Sequence, residues 1–282
     1  MKRRRVATAA LVTAAVLAIL AVDNYFPVRG LPSAALLAVV AFAASRELCR
    51  VLESAGFHTY RSLTAFAGFV VALLPAGMQV LDSEVSSFAA QAGVVFGFVV
   101  ITFALALREE EKPAGARAAV AGTFVLIYVG FALSFLVRLR GLPEVGGGLM
   151  LFALGCAKVG DMGAYVVGST FGKHLLAPRV SPKKTIEGGI GALAASLLMA
   201  VLILPFVDGK IGVWTLLWWA VVLSMFAQFG DLAESLLKRS GAVKDSAGVL
   251  GAMGGALDAV DSVLLSAPAA YILALLGGFG GS

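Results

Sequence analysis

The run FAAQAGVVFGFVVITFALAL, residues 88–107, contains no charged side chain. An α-helix of about twenty residues is about 30 Å long, which matches the hydrocarbon core of a bilayer. A transmembrane β-strand would alternate apolar and polar residues, whereas this run has only two polar side chains, Gln91 and Thr102, among twenty residues. Because lipid offers the backbone no hydrogen bonds, the run is predicted to be a transmembrane helix.

The whole chain has the composition of a helical membrane protein. Of its 282 residues, 60% are hydrophobic and 14% are charged, and the mean hydropathy is +0.94. A soluble domain is nearer a quarter charged, so much of this surface must face lipid. We predict an all-α, polytopic integral membrane protein with about nine transmembrane helices. The apolar runs are 7–22, 31–48, 61–81, 88–107, 118–138, 147–170, 186–207, 211–230 and 262–279.

The N-terminal stretch MKRRRVATAALVTAAVLAILAVD, residues 1–23, has two interpretations. A basic head followed by an apolar stretch and small residues is typical of a signal peptide. We favour a retained first span, because the apolar part is long and further spans follow at once.

The distribution of Lys and Arg predicts the orientation of the chain. With the N-terminus in the cytoplasm, 17 of the 22 basic residues fall in cytoplasmic segments, and 4 fall on the opposite side. This bias follows the positive-inside rule and favours an odd number of spans. It predicts a multi-pass protein of the cytoplasmic (inner) membrane, with the N-terminus and the loop FGKHLLAPRVSPKKT, residues 171–185, on the cytoplasmic side.

The charged clusters divide the chain into two parts. Residues 1–140 are predicted to form about five N-terminal spans with few internal charges. Residues 141–282 carry every cluster that suggests chemistry, and are predicted to form a catalytic transmembrane region with cytoplasmic site loops.

Some functions are disfavoured by the composition. The sequence shows no basic face with interleaved aromatic residues, so a nucleic-acid partner is not expected. Cys49 and Cys156 are interpreted as buried apolar residues, and the two histidines are too far apart to indicate zinc.

The first charged cluster is AKVGDMGAYVVGSTFG, residues 157–172. Lys158 and Asp161 are three residues apart inside a span, so they share a helix face. Charges at membrane depth are costly and usually face the protein interior or a cavity. An internal ion pair that fixes helix packing is the structural alternative, and for Asp161 we favour a functional role. The glycines at 155, 160, 163 and 168 favour close helix approach.

The second cluster is SPKKTIEGG, residues 181–189. Ser181 followed by Pro182 predicts a helix N-cap with proline in the first turn. Lys183 and Lys184 would then lie at the positive end of a helix, which suits an anion. Ordinary basic flanking of a span is the simpler alternative, although the whole motif is more specific than lysines alone.

The third cluster begins with GDLAESLLKRS, residues 230–240. Asp231, Ser235 and Lys238 recur at i, i+4 and i+7, which places them on one helix face. Arg239 is adjacent.

This third cluster continues through GAVKDSAGVLGAMGG, residues 241–255, whose five glycines predict a loop that approaches a ligand closely. LDAVD, residues 257–261, then places Asp258 and Asp261 on one face at the start of the last span.

Carboxylates, lysines and a glycine-rich loop are the components of metal-assisted phosphoryl chemistry. Mg²⁺ prefers oxygen ligands and usually takes one or two carboxylates with substrate phosphates. Cations also neutralise charge that shifts during phosphoryl transfer. The chain has no GxxxxGK[ST], so it is not a P-loop protein. Surface ion pairs are the structural alternative. They are disfavoured because acids without a chemical role are rarely placed at the start of an apolar span.

The same residues resemble the signature of the CDP-diacylglycerol synthase (phosphatidate cytidylyltransferase) family. That signature runs Ser-x-apolar-Lys-Arg, four residues, Lys-Asp, a Gly/Pro turn, His-Gly-Gly and Asp-Arg-apolar-Asp. The upstream GDMGAY, FGKHLLAPRVSPKKTIEGG and QFGDLAESLLKR are also similar, so the resemblance covers residues 150–265. The matching residues are Ser235, Lys238, Arg239, Lys244, Asp245, Gly254, Gly255, Asp258 and Asp261.

The chain departs from this signature at two polar positions. Met253 stands where the family has His, and Ala259 stands where it has Arg. The apolar residue after Gly-Gly is Ala256. Contacts made by that His or Arg are therefore missing or supplied elsewhere, which leaves room for a changed substrate or a weakened enzyme.

The resemblance implies a metal-dependent reaction of phospholipid biosynthesis, in which CTP and phosphatidic acid give CDP-diacylglycerol and pyrophosphate. It implies Mg²⁺ as the cofactor, leaves a second cation open, and gives Asp231, Asp258 and Asp261 as metal ligands. The implied catalytic residues are Asp231, Asp258, Lys238, Lys244, Asp245 and Asp261. The implied substrate-binding residues are Ser181, Lys183, Lys184, Thr185, Glu187, Arg239, Ser235, Gly254, Gly255 and Asp161. The expected partners are CTP, phosphatidic acid and membrane lipids, with a homodimer left open.

Three other functions are kept as alternatives. An ion-coupled transporter would suit the intramembrane Lys158 and Asp161, although the acids stand at one membrane face and the two halves share no pattern. A related CTP-dependent enzyme acting on a polyprenyl or ether lipid would suit the changed Met253 and Ala259. A non-catalytic relative is disfavoured because all the acids are retained.

Overall fold

A computed structural model of the chain describes residue 23 and residues 30–81, 86–207, 209–241 and 255–279. The predicted span 7–22 lies outside the described residues. The same is true of Lys244, Asp245, Met253 and Gly254.

Helices make up most of the described chain. The α-helices are α1 (Leu31–Ser54), α2 (Arg61–Val80), α3 (Ser87–Ala106), α4 (Lys112–Val125), α5 (Ala132–Arg140), α6 (Gly146–Phe171), α7 (Ile186–Leu202), α8 (Val213–Ser240) and α9 (Ala256–Leu276). A π-helical turn (Leu126–Phe131) joins α4 to α5, and a 3-10 turn (Leu204–Phe206) follows α7. Two short strands, β1 (Leu175–Ala177) and β2 (Ser181–Thr185), lie between α6 and α7.

By length and apolar composition, six helices of the described chain suffice to cross a membrane. They are α2, α3, the continuous α4–α5, α6, α8 and α9. The predicted helical membrane protein is therefore confirmed. Every predicted apolar run within the described residues corresponds to a helix, but α1 is not in this set and α7 has only 17 residues. Nine spans are not confirmed, and the orientation stays a prediction.

The segment around Ser181 differs from its predicted structure. Strands β1 and β2 pair antiparallel, with Ala177 opposite Ser181 and Leu175 opposite Thr185. Ser181 is therefore not a helix N-cap, and the prediction that proline begins a helix here was wrong. A residue before proline prefers extended backbone, and a two-stranded ribbon has outer positions where proline is tolerated.

Helix α7 instead begins after Thr185. The Gly188 N–H donates to Thr185 Oγ1 at 3.1 Å, so Thr185 is the N-cap. Lys183 and Lys184 consequently lie on strand β2, directly before the N-cap, and not in the first turn of a helix.

The described residues form two compact units, and the first comprises the described parts of 1–137 and 237–260. In this unit α1 packs against α2, and α3 packs against α4. Its core includes Ala67, Val71, Phe98 and Leu126, which are all buried. The buried Gln91 amide donates to the Val71 carbonyl at 2.7 Å, so a polar side chain on α3 is satisfied across this core.

The second unit comprises the described parts of 138–236 and 261–282, and its main contact joins α6 to α7. A Cβ added at Gly163 would lie 2.6 Å from the Gly191 carbonyl oxygen, so the two helix backbones touch. The buried Ser196 hydroxyl donates to the Cys156 carbonyl at 3.0 Å and ties the same helices together. The predicted close approach through small residues is confirmed. Cys49 and Cys156 are buried and unbridged, as predicted.

Candidate active site

Three carboxylates of the second unit form an acid cluster. Asp231 and Glu234 lie one turn apart on α8, and Asp261 lies on α9. One oxygen from each of these side chains lies within 4.8 Å of the others. Glu234 is buried, with 3% of its surface exposed, while Asp231 and Asp261 are partly buried. Like charges this close repel one another, so the arrangement favours a bound cation.

Gly230 brings α8 close to α9 beside this cluster. A Cβ added at Gly230 would lie 2.6 Å from the Asp261 carbonyl oxygen, which is closer than a real Cβ contact. The residue before Asp231 must therefore lack a side chain for Asp231 and Asp261 to meet.

Lys158 links the acid cluster to α6. Its Nζ donates to Asp161 Oδ2 and to Asp261 Oδ1, each at 3.2 Å, and to Ser262 Oγ at 2.8 Å. The Ser262 hydroxyl donates in turn to Asp161 Oδ2 at 2.9 Å. The predicted shared helix face of Lys158 and Asp161 is confirmed, and on it the two residues form the internal ion pair that was the structural alternative. The pair extends to Asp261, whose carboxylate Lys158 holds from the side of α6.

The strand pair brings a second lysine to the cluster. Lys184 Nζ lies 2.6 Å from Asp231 Oδ2, and both side chains are partly buried. Asp231 therefore faces a cation supplied by β2.

A cavity of about 410 Å³ opens beside this ion pair within the second unit. Much of its wall is apolar or small, and it includes Gly160, Gly168 and Gly188. Its charged lining residues are Asp161, Lys183, Lys184 and Asp231, and its polar lining residues include Thr185 and Gln228. A cavity with small apolar walls and lysines suits a ligand that has an anionic group and an apolar part.

Three predicted substrate-binding residues of the second unit, Ser181, Glu187 and Ser235, do not line this cavity. Glu187 instead fastens the end of α6 to the start of α7. Its Oε2 accepts from the backbone N–H groups of Lys173 and His174 at 3.1 and 3.2 Å, and its Oε1 lies 2.7 Å from His174 Nδ1. The hydrogen bond to His174 and those from the backbone lower the pKa of Glu187 to about 2.

The first unit holds other predicted site residues. Asp258, in the first turn of α9, pairs with Lys238 near the end of α8. Asp258 Oδ2 also accepts from the Gly255 N–H at 2.8 Å. Arg239 is exposed in the last turn of α8.

Helix α8 continues through residue 240, as the spacing of Asp231, Ser235 and Lys238 predicted. Ser235 is half-buried on that helix.

Two residues of the second unit were missed as site candidates. Asp231 and Glu234 are three residues apart, as are Asp258 and Asp261. This shared spacing could have identified Glu234 as a site candidate from the sequence. Gln228 lines the cavity, and its amide donates to Ser224 Oγ at 3.2 Å and to the Gly189 carbonyl at 3.4 Å. Nothing in the local sequence distinguishes this glutamine from a packing residue.

Comparison with known proteins places these residues in a family. The model of the Cytidylyltransferase family matches residues 3–276 of this chain. The chain belongs to the cytidylyltransferase family. The resemblance inferred from residues 150–265 is therefore confirmed, and it extends through the N-terminal half.

Individual members of the family give the same result. The chain is 33% identical to a phosphatidate cytidylyltransferase of Staphylococcus saprophyticus over 237 residues, covering 83% of this chain and 86% of the relative. It is 34% identical to one of Staphylococcus aureus with the same coverage. A shorter match to one of Staphylococcus haemolyticus reaches 42% identity over 145 residues, or 51% of this chain and 54% of the relative. As a cytidylyltransferase, the chain is a nucleotidyltransferase enzyme, so the transporter alternative is set aside.

Proposed function

We propose that this membrane cytidylyltransferase is a phosphatidate cytidylyltransferase, which converts CTP and phosphatidic acid to CDP-diacylglycerol and pyrophosphate. The two substrates are inferred from the relatives, which are named phosphatidate cytidylyltransferases. The observation that carries the proposal is the acid cluster with Lys184 at the edge of a partly apolar cavity. A lipid phosphate and a nucleotide triphosphate require cations together with an apolar path.

The proposed reaction is a substitution at phosphorus. A phosphate oxygen of phosphatidic acid forms a bond to the α-phosphorus of CTP, while the bond from that phosphorus to the bridging oxygen of pyrophosphate breaks. The lipid phosphate is already a nucleophile, so the chain needs no covalent intermediate. Both reactants are anions, and holding them together is the main task of the protein.

The acid cluster fits a hard divalent cation. Its donors are carboxylate oxygens within 4.8 Å of one another, and Mg²⁺ prefers such oxygens. We assign Asp231, Glu234 and Asp261 as the residues that would hold it, and a second cation stays open. When bound, Mg²⁺ would screen the repulsion between the two substrates. Asp258 was predicted as a further ligand, and this stays a prediction.

The lysines are proposed to hold phosphate groups. Lys183 and Lys184 line the cavity from β2 and would contact substrate phosphates as point charges. Lys158 keeps the Asp261 and Asp161 carboxylates in place through one hydrogen bond to each, and it donates a third to the Ser262 hydroxyl. Thr185 and Asp161 line the same cavity. Lys238 and Asp258, which pair with each other, keep their predicted catalytic roles as part of the proposal.

The remaining predicted site residues keep their proposed roles without a described contact to the cavity. They are Ser181, Glu187, Ser235, Arg239, Gly255 and, outside the described residues, Lys244, Asp245 and Gly254.

We further propose that the enzyme lies in the cytoplasmic (inner) membrane with its active site on the cytoplasmic side. The 17 to 4 distribution of basic residues supports this orientation. Residues 141–282 are proposed as the main catalytic region. The homodimer stays open, and mass measurement in detergent would decide it.

The proposal is tested with protein purified in detergent, CTP, phosphatidic acid and Mg²⁺. CDP-lipid and pyrophosphate are followed for wild type, Asp261→Asn and a metal-free sample. Glu110→Gln, which neutralises an exposed loop acid, is the matched control. We expect wild type and Glu110→Gln to form CDP-lipid and pyrophosphate at the same rate. We expect neither product from Asp261→Asn or from the metal-free sample. Folded wild type that makes neither product would overturn the proposal.

A different lipid acceptor is the second candidate, and Ala259 is the observation that favours it. The family signature has Arg at this position, so any nucleotide or lipid contact of that Arg is missing here or supplied elsewhere. The same assay with polyprenyl phosphate or an ether-linked phosphatidic acid decides between the acceptors. A higher kcat/KM for either one than for phosphatidic acid would replace the proposed substrate.

A further inference from the structure

Glu47 is a buried carboxylate of the first unit that no motif in the sequence singles out. It lies on α1, and only 2% of its surface is exposed. Its Oε2 accepts from the Leu257 N–H at 2.8 Å, across 210 residues of sequence. Its Oε1 accepts no hydrogen bond within the described residues. The described contacts of this carboxylate thus point to the start of α9.

The position of Leu257 explains why an acid is suited there. The first four N–H groups of a helix have no partner within that helix, and this end of the helix is positive. Leu257 is the second residue of α9, so its N–H is one of these donors. A carboxylate from α1 therefore satisfies the donor and lies where the helix dipole favours negative charge.

The same helical turn carries Asp258. Asp258 Oδ2 accepts from the Gly255 N–H at 2.8 Å, which is the reciprocal half of a capping box, and Asp258 also pairs with Lys238. Two carboxylates therefore hold one turn, Asp258 from within it and Glu47 from α1. A shift of the Leu257 backbone would move the adjacent Asp258 and its lysine.

Stability alone is a poor reason for an acid at this position. Burying a carboxylate is costly, and an apolar side chain of similar volume usually serves a folded core as well or better. The presence of a glutamate therefore indicates that its hydrogen bond to Leu257 preserves the geometry of the first turn of α9.

We infer that Glu47 is a positioning residue that fixes the first turn of α9 and, through it, Asp258 and Lys238. The inference rests on the proposed function only in treating Asp258 and Lys238 as residues of the active site. It gives the N-terminal half of the chain a part in the site, although the charged motifs all lie in the second half.

Hydrogen–deuterium exchange of the full chain in detergent tests the contact directly. Glu47→Ala removes the acceptor, Glu47→Gln keeps an acceptor oxygen, and Ser45→Ala changes another buried polar residue of α1. We expect peptides covering 256–260 to exchange at least about tenfold faster in Glu47→Ala, because a hydrogen bond to a charged group is lost. In Glu47→Gln and in Ser45→Ala, these peptides should exchange at nearly the wild-type rate. Peptides from α6 and α7 should be unchanged in all three.

Enzyme kinetics test the consequence for the site. We expect kcat/KM to fall about tenfold or more in Glu47→Ala and to recover in Glu47→Gln, because a neutral amide oxygen still accepts the bond. Equal exchange at 256–260 in Glu47→Ala and wild type would overturn the inference, as would failure of Glu47→Gln to restore protection or kcat/KM.

The design separates the two proposals. If wild type forms no CDP-lipid, the proposed function fails, while the exchange at 256–260 still decides whether Glu47 fixes this turn. If Glu47→Ala does not fold, Glu47→Asp keeps the charge on a side chain one methylene shorter. Faster exchange at 256–260 in Glu47→Asp supports the inference, and wild-type exchange overturns it.

Discussion

Lys184 Nζ lies 2.6 Å from Asp231 Oδ2, so a lysine of the short strand pair neutralises an acid of α8. Both residues line the cavity, and Asp231 is one of the three clustered carboxylates. A cation bound by Asp231 would share that carboxylate with the lysine. Lys184 is thus suited to turn towards a substrate phosphate once Mg²⁺ is present, since a lysine side chain is flexible and carries a compact charge.

Replacing Lys184 with Met should impair substrate use and ease metal binding. A charge-assisted hydrogen bond contributes about 1.5–3 kcal/mol, so kcat/KM for CTP or phosphatidic acid should fall about tenfold to a hundredfold. The Mg²⁺ concentration for half-maximal rate should fall as well, because Asp231 no longer has a competing cation. Initial rates of CDP-lipid formation over a matrix of substrate and Mg²⁺ concentrations measure both effects.

Lys173→Met is the matched control, because this exposed lysine precedes the same strand pair and its side chain does not line the cavity. It should leave both quantities near wild type. A Lys184→Met enzyme with unchanged kcat/KM would remove Lys184 from the proposed substrate site.

Glu234 should prove to be a metal ligand although the sequence motif does not include it. Glu234→Gln removes one charge from the acid cluster, so the affinity for a divalent cation should fall at least about tenfold, which is the loss typical of residues that merely support metal ligands. Titration with Mn²⁺, followed by electron paramagnetic resonance, measures this without turnover. Glu110→Gln should bind Mn²⁺ as wild type does. Equal affinities in all three proteins would leave Glu234 as a buried structural acid.

The sequence predicts this fold well where the signal is local. Continuous apolar runs identify the helices, and the three-residue spacing of Lys158 and Asp161 predicts the helix face that they share. Both follow from the period of one helix, which neighbouring elements change little.

Contacts between segments that are distant in the chain could not be predicted from the sequence. Ser181 and Pro182 fit a helix start as well as a strand, and the outcome depends on the pairing of β2 with residues 175–177. The hydrogen bond from Leu257 to Glu47 spans 210 residues, and no periodicity connects them. Helix faces are readable from one sequence, whereas the choice of partner face depends on packing.

Gly230→Ala should disable the site while preserving the helices. The new Cβ would meet the Asp261 carbonyl oxygen at 2.6 Å, and backbone is unable to yield as a flexible side chain does. The resulting overpacking costs about 1–3 kcal/mol and separates Asp231 from Asp261. Mn²⁺ affinity and CDP-lipid formation should both fall, with circular dichroism unchanged.

The control for this substitution is Gly97→Ala on α3, where an added Cβ meets nothing within 4 Å. Alanine in place of glycine at a compatible helix position should stabilise by about 0.4–1 kcal/mol and leave activity intact. Retention of wild-type metal affinity in Gly230→Ala would contradict the close approach of α8 and α9 at Asp261.

The link between α6 and α7 should weaken in acid through Glu187. Its pKa is lowered from 4.5 to about 2 by its hydrogen bonds with His174 and with the backbone. A carboxylate with a lowered folded-state pKa stabilises the fold fully above its unfolded pKa, and this contribution is lost as pH falls from 4.5 towards 2. At pH 4 the segment 173–186 should therefore stay closed in wild type and open in Glu187→Gln.

Pepsin is active across this range, and cleavage between residues 172 and 187 reports the opening. We expect Glu187→Gln to be cut faster than wild type at pH 4, and the two rates to converge near pH 2, where the wild-type carboxyl becomes protonated. Glu144→Gln is the control, because it removes the exposed Glu144–Lys210 ion pair, which lies at another loop of the second unit. Cleavage of wild type and Glu187→Gln at the same rate at pH 4 would show that the bonds from His174 and Lys173 do not hold this segment.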